Sequence, residues 1–148
     1  MEIISSKDNK KVKEARKLLT KKYRKNSYLI EGFHLLEEAL KAGHSIKQIF
    51  VEENKLAKLT AMIGSEKSLT DLSVNLVSKD VLKSLADSES PQGLIAEVAI
   101  IEEVIDFSAS KFLLLENVQD PGNVGTMIRT ADAAGFSAVI LLGETADL

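Results

Sequence analysis

Asn123 directly follows the turn sequence Asp120-Pro121-Gly122, Arg129 comes six residues later, and Glu116 ends the apolar run before the turn. A helix that starts after such a turn can bind an anion, and Gly122 and Gly125 let backbone approach a ligand there. Arg129 would add a planar fork of donors suited to phosphate. Plainer accounts compete with each role. Asp132 lies three residues beyond Arg129 and Glu116 can approach from the strand end, so an ion pair explains the arginine equally well on spacing. Asn123 can be a helix N-cap, worth about 1 kcal/mol. Arg129 falls about 140° around the helix from Val124, off the apolar face and free to point into a site.

The elements that position these residues are legible. Phe112 to Leu115 is a short apolar run, expected to be a strand buried on both faces. Asn123 is placed to cap the next helix, whose Val124, Met127, Ile128, Ala131 and Ala134 share a face, and Gly135 suits its left-handed end. Ala138 to Leu142 is the following strand. The pattern predicts a right-handed β-loop-α-β unit with its polar loop at the carboxyl end of the strand, where such sheets bind ligands. Gly122-Asn123-Val124-Gly125 supplies only G-x-x-G, whereas a dinucleotide fingerprint needs G-x-G-x-x-G.

A second set of candidates lies near the amino terminus. The net charge of −3 conceals a basic head: residues 1–25 carry ten Lys or Arg against three acids, a local +7, and the remainder carries −10. A polyanion met at one end fits that asymmetry. Ser5 or Ser6 is expected to cap a first amphipathic helix with Val12, Ala15, Leu18, Leu19 and Tyr23 on its apolar face. Lys21, Lys22, Arg24 and Lys25 are expected at its carboxyl end, where cations also suit the helix dipole. Tyr23 among these cations offers a stacking surface, which favours RNA over a merely solvated helix end.

Between these regions strands and helices alternate. Strands are expected at Tyr28 to Ile30, Ile46 to Val51, Leu72 to Val77 and Gly93 to Ile100. Helices are expected at Phe33 to Ala42, Leu56 to Ile63 and after Ser78 as far as Leu85, with Asp87 to Gly93 an exposed loop. That order predicts a small α/β sandwich with a largely parallel central sheet. The chain has no cysteine and two histidines, so disulfides, thiolate chemistry and cysteine- or histidine-rich metal sites are excluded. No signal-peptide core or membrane-length apolar run is present, and a soluble cytoplasmic protein is expected.

Leu115 to Phe136, LENVQDPGNVGTMIRTADAAGF, resembles the first motif of the SPOUT-class RNA 2′-O-ribose methyltransferases of the SpoU/TrmH type. The resemblance implies that Asn123 and Arg129 belong to an active site using S-adenosylmethionine. Lys21 to Arg24, Tyr28 to Gly32 with Glu37 to Ala39, and Pro91 to Gly93 resemble landmarks of that family's ribosomal-protein-like substrate-binding domain. They imply that Lys21, Lys22, Arg24 and the Glu31-Gly32 turn face RNA, although Glu31 reads equally well as a turn carboxylate. The implied organisation is an RNA substrate-binding domain at 1–100, a linker at 101–110 docked on a surface through its apolar residues, and the start of a SPOUT domain at 111–148.

Methylating a ribose hydroxyl requires help with proton removal and RNA held in line. Arginine is almost always protonated, so the favoured role of Arg129 is to grip the adjacent phosphate and stabilise the oxyanion, with Glu116 orienting it. Direct deprotonation by Arg129 stays open. In the family the cofactor site and the knot come from later motifs, so the chain is expected to be part of a longer enzyme and inactive alone. The family further implies a homodimer and an RNA substrate, ribosomal RNA ahead of transfer RNA. A stand-alone RNA-binding module and a nicotinamide-binding fragment are the alternatives.

Overall fold

The computed structural model describes residues 2–64, 71–88, 91–101, 104, 106–108 and 110–146. They form two compact units, which divide after Ile101. Residues 89 and 90 of the expected loop, and 102, 103, 105 and 109 of the expected linker, lie outside the described residues.

The first unit contains α1 (Lys10–Lys17), β1 (Ser27–Glu31), α2 (Phe33–Lys41), β2 (Ile46–Glu52), α3 (Leu56–Ile63), β3 (Val74–Val77), α4 (Lys79–Lys83) and β4 (Leu94–Ala99). Alternation along the strands sorts side chains to two faces. Ile49 and Val51 of β2 join Leu94, Ala96, Phe33, Leu36 and Leu59 in a core on the α2 and α3 side. Phe50 and Ile95 point the other way, into a second core with Val12 and Ala15 of α1 and Val81 and Leu82 of α4. Helices thus cover both faces of one sheet, the expected α/β sandwich.

The expectation of a largely parallel sheet is corrected. The strand order is β1-β4-β2-β3, with β4 antiparallel to both β1 and β2 and only β2-β3 parallel. Helical crossovers do make β1, β2 and β3 run in one direction, but β4 arrives without one and enters between β1 and β2. Two of the three pairings are consequently antiparallel. β4 is buried from Leu94 to Val98, as a central strand must be.

Two helix ends also differ from expectation. Asn9 caps α1 by accepting the Lys11 N–H at 3.0 Å, while the Ser6 hydroxyl accepts the Asp8 N–H at 3.1 Å in the turn before it. The cations do not extend α1: Thr20 is extended, at φ −101° and ψ 125°, and Lys21–Tyr23 forms a separate 3₁₀ turn.

The second unit contains β5 (Phe112–Glu116), α5 (Pro121–Ala133) and β6 (Ala138–Leu142), with β5 and β6 parallel and in register from Phe112↔Ala138 to Glu116↔Leu142. Val124 and Ala131 of α5 are buried, as is Leu115. Along β5, Leu115 is buried and Leu114, on the opposite face, is 57% exposed in this chain. Of the described apolar residues in 101–110, Val104 is 94% and Phe107 78% exposed, and the Phe107 ring lies 6.2 Å from that of Phe112.

Candidate functional site

Asp120, not Asn123, caps α5. Its carboxylate accepts the Gly122 N–H at 3.1 Å, and Pro121 takes the first helical position, where its missing N–H costs nothing. Asn123 is thereby moved into the first turn, exposed, and its side chain makes no hydrogen bond among the described residues. The amide that capping would have consumed is left available beside the helix N-terminus.

Arg129 is exposed and donates from Nη2 to the Thr126 hydroxyl at 3.2 Å. Thr126 in turn donates to the Gly122 carbonyl at 3.0 Å. Asn123, Thr126 and Arg129 are spaced by three, so they form one row along α5, and the Thr126 bond turns the guanidinium towards the start of the helix. The ion-pair account of Arg129 is not realised: among the described residues neither Asp132 nor Glu116 pairs with it, and Glu116 does not orient it. Asp132 stands a turn too far along for a guanidinium turned towards the loop. Thr126 was missed in the sequence, although its spacing of three from both residues was visible there.

Asn117 was missed as well. It has φ +54°, and its side-chain oxygen accepts the Glu144 N–H at 2.9 Å. The Thr145 hydroxyl donates to the Leu115 and Leu142 carbonyls at 2.9 and 2.6 Å, and the Ala146 N–H reaches the Val118 carbonyl at 2.8 Å. The loops following the two parallel strands are tied together by these bonds. The Asn117 and Thr145 side chains are thereby committed to backbone groups, and neither is assigned to holding S-adenosylmethionine.

In the first unit the RNA-facing candidates separate into two places. The basic turn stands before β1 and the Glu31-Gly32 turn after it, about 13 Å apart along the strand. At the first place Lys21, Lys22 and Tyr23 are exposed, with the Lys22 ammonium 4.8 Å from the Tyr23 ring centroid. Arg24 faces inward: its Nε and Nη2 donate to the Leu18 and Leu19 carbonyls at 2.7 and 2.9 Å, closing the end of α1. At the second place Glu31 accepts the Ser88 hydroxyl at 2.7 and 2.9 Å on its two oxygens. Gly32, at φ +93°, passes so close to Gln92 that a Cβ would stand 2.8 Å from its amide oxygen. Gly93, at φ +81°, packs in the same way on the stem of Lys55. The loop from Asp87 to Gly93 is therefore not wholly exposed, since Gly93 is buried in this contact.

A buried polar cluster completes the first place. Glu97 accepts from the Ser27 hydroxyl at 2.6 Å and from the Gln48 amide at 2.7 Å, and the Lys47 ammonium is 3.4 Å away. Burial on its own would raise the Glu97 pKa, but the Ser27 and Gln48 hydrogen bonds and the Lys47 charge together hold it below the ordinary value.

Residues 9–96 match the family model described as the MRM3-like substrate binding domain, and residues 110–148 match that of the SpoU rRNA Methylase family. The chain is 44% identical to the 23S rRNA (guanosine(2553)-2′-O)-methyltransferase RlmP of Bacillus subtilis, over 99% of this chain and 57% of that protein. It is 34% identical to the 23S rRNA (guanosine-2′-O-)-methyltransferase RlmB of Bordetella pertussis, over 78% of this chain and 51% of that one. Among solved structures, the AdoMet-bound rRNA methyltransferase from Sinorhizobium meliloti superposes with a TM-score of 0.77 at 32% identity, covering 99% of this chain and 56% of its own. The chain thus spans about half the length of the relatives it matches.

Proposed function

Because the chain belongs to the SpoU/TrmH family of RNA 2′-O-ribose methyltransferases, with an MRM3-like substrate-binding domain before its SpoU segment, we propose that the protein carrying it methylates a ribose 2′-hydroxyl of ribosomal RNA from S-adenosylmethionine. The observation that carries this reading is the row Asn123, Thr126 and Arg129, an exposed guanidinium turned by a hydroxyl towards a helix N-terminus. As the ribose hydroxyl loses its proton, negative charge grows on its oxygen. Arg129 holds the neighbouring phosphate through two donors and stabilises that charge, and the free amide of Asn123 orients the ribose or phosphate beside it. Glu116, exposed at the end of β5, is the carboxylate available to take the proton. RNA is bound by Lys21, Lys22 and Tyr23 at one end of β1 and by the Glu31-Gly32 turn with Gln92 at the other. Arg24 supports the first of these through α1. The working protein is a cytoplasmic homodimer.

Filter binding of this chain to ribosomal RNA across a salt series tests the RNA half. The expected result is affinity that falls steeply as salt rises, and salt-independent or absent binding sinks it. Transfer of labelled methyl groups to ribosomal RNA by the full gene product, mapped to a 2′-hydroxyl, tests the reaction. Methylation of a base instead would overturn the assignment.

A further inference from the structure

Beside the basic turn the first unit holds an open cavity of about 460 Å³, lined among others by Tyr23, Asn26, Ser27, Lys47, Gln48 and Glu97. That volume lies within the range of about 300–1,000 Å³ usual for small-ligand sites. The Glu97 carboxylate forms part of the wall and is 11% exposed, whereas Lys47 is 46% exposed. An anionic wall disfavours phosphate, so the cavity does not continue the phosphate-binding role of the lysines. What it offers is an ordered set of hydrogen-bonding groups: two carboxylate oxygens and, next to them, an ammonium.

The lone pairs can be counted. A carboxylate has about four acceptor positions. Ser27 occupies one on Oε1 and Gln48 one on Oε2, with Lys47 also on Oε1. If the exposed Lys47 ammonium turns to a ligand acceptor, one position on each oxygen is free. The complementary ligand edge carries two adjacent N–H donors followed by an acceptor. Guanine has that edge in N2–H, N1–H and O6. Uracil places its single donor between two acceptors, and adenine and cytosine each present one amino group beside ring acceptors. The Tyr23 ring is 46% exposed with Lys22 over one face, which leaves the other face for a base to stack on.

We propose that this cavity binds an unstacked guanine base of single-stranded RNA, with Glu97 accepting from N1–H and N2–H, Lys47 donating to O6, and Tyr23 stacking on the ring. The proposal rests on the RNA-binding reading above and adds base selectivity to it. Gln48 and Ser27 are positioning residues, since they fix the carboxylate and leave its outer lone pairs towards the cavity.

Fluorescence anisotropy with this chain and the pentamers UUGUU, UUAUU, UUCUU and UUUUU provides the test. At low salt the guanine pentamer should bind about tenfold or more tightly than the uracil one. Glu97→Gln should abolish that preference while leaving the salt dependence unchanged, and Tyr23→Ala should weaken all four pentamers together. If Glu97→Gln proves unfolded by circular dichroism, Lys47→Met, at an exposed position, serves in its place and should also reduce the preference. Guanosine monophosphate distinguishes a free nucleotide from RNA: it should compete for the site, and its binding without any preference among the pentamers overturns the RNA source. Salt-dependent binding of all four with equal affinity overturns the pocket alone. Failure to bind any pentamer at low salt overturns both the pocket and the RNA-binding reading beneath it.

Discussion

The side-chain oxygen of Asn117 accepts the backbone N–H of Glu144 at 2.9 Å and lies against the α-carbon of Gly143, so close that a Cβ there would overlap it. Both residues are left-handed, Asn117 at φ +54° and Gly143 at φ +61°. The loop leaving β5, which leads into the Asn123 and Arg129 row, is thereby held to the loop leaving β6.

Gly143→Ala should destabilise the second unit by about 1–3 kcal/mol, through both the unfavourable φ and the clash. Asn117→Gly keeps the backbone conformation available and removes only the side-chain bond, so it should cost less. Thermal melts of the two variants decide the matter, and equal midpoints for Gly143→Ala and the parent would show that the loops are not locked in this way.

Arg24 and Lys22 should separate stability from binding. Arg24→Ala leaves the Leu18 and Leu19 carbonyls without their donor and should lower stability by about 1–2 kcal/mol. Lys22→Ala, at an exposed position, should leave the melting midpoint nearly unchanged while lowering the salt slope of RNA binding by roughly one phosphate contact. A pair of variants with the reverse pattern would contradict the inward placement of Arg24.

Arg129→Lys in the full gene product should reduce methyl transfer about 100–1,000-fold with little change in melting, because lysine keeps the charge and loses the fork. Thr126→Val removes the hydroxyl that turns the guanidinium and should cost about tenfold to a hundredfold in rate, with RNA affinity retained. Full activity in Thr126→Val would show that the row has no part in orienting Arg129.

The Glu97 carboxylate sets a pH dependence. Its folded pKa lies below the ordinary 4.5, so its ionised form is the one the fold favours. The stability it contributes is complete above about pH 4.5 and is lost as pH falls through the lower folded value. Acid melts of Glu97→Gln should therefore show a shallower fall below that pH than the parent, and parallel curves would refute the linkage.

Much of this architecture was legible in the sequence because it is set locally. The pattern of Leu56 to Ile63 with Gly64 beyond it predicts a helix, and the helix has those bounds with Gly64 at φ +72°. The position of Ser78 predicts a cap, and its hydroxyl accepts the Val81 N–H at 3.4 Å. Competition between neighbours was harder to read. Asp120 and Asn123 can both cap, and Pro121, which favours the first helical position, decides for Asp120. Pairing was hardest, because nothing local to Leu94 to Ala99 says that it inserts between β1 and β2. The Glu97 cluster joins residues from three separate strands, so no spacing along the chain announces it. The same holds for Gly32 and Gln92, which are far apart in the sequence and become one turn contact only after β4 is in place.

The central position of β4 bears on how the protein is made. Among the described residues β1 has β4 as its only strand partner, and β2 is bordered on one side by β4. During synthesis the basic turn and β1 emerge before β4, and their sheet edge stays open until residue 99 has left the ribosome. The pairing of β1 with β4 is therefore a contact of long sequence separation, the kind that is slow to form. A nascent chain arrested before Leu94 would display an unpaired strand beside a cluster of lysines in the vicinity of ribosomal RNA, a state that release of the remaining residues brings to an end.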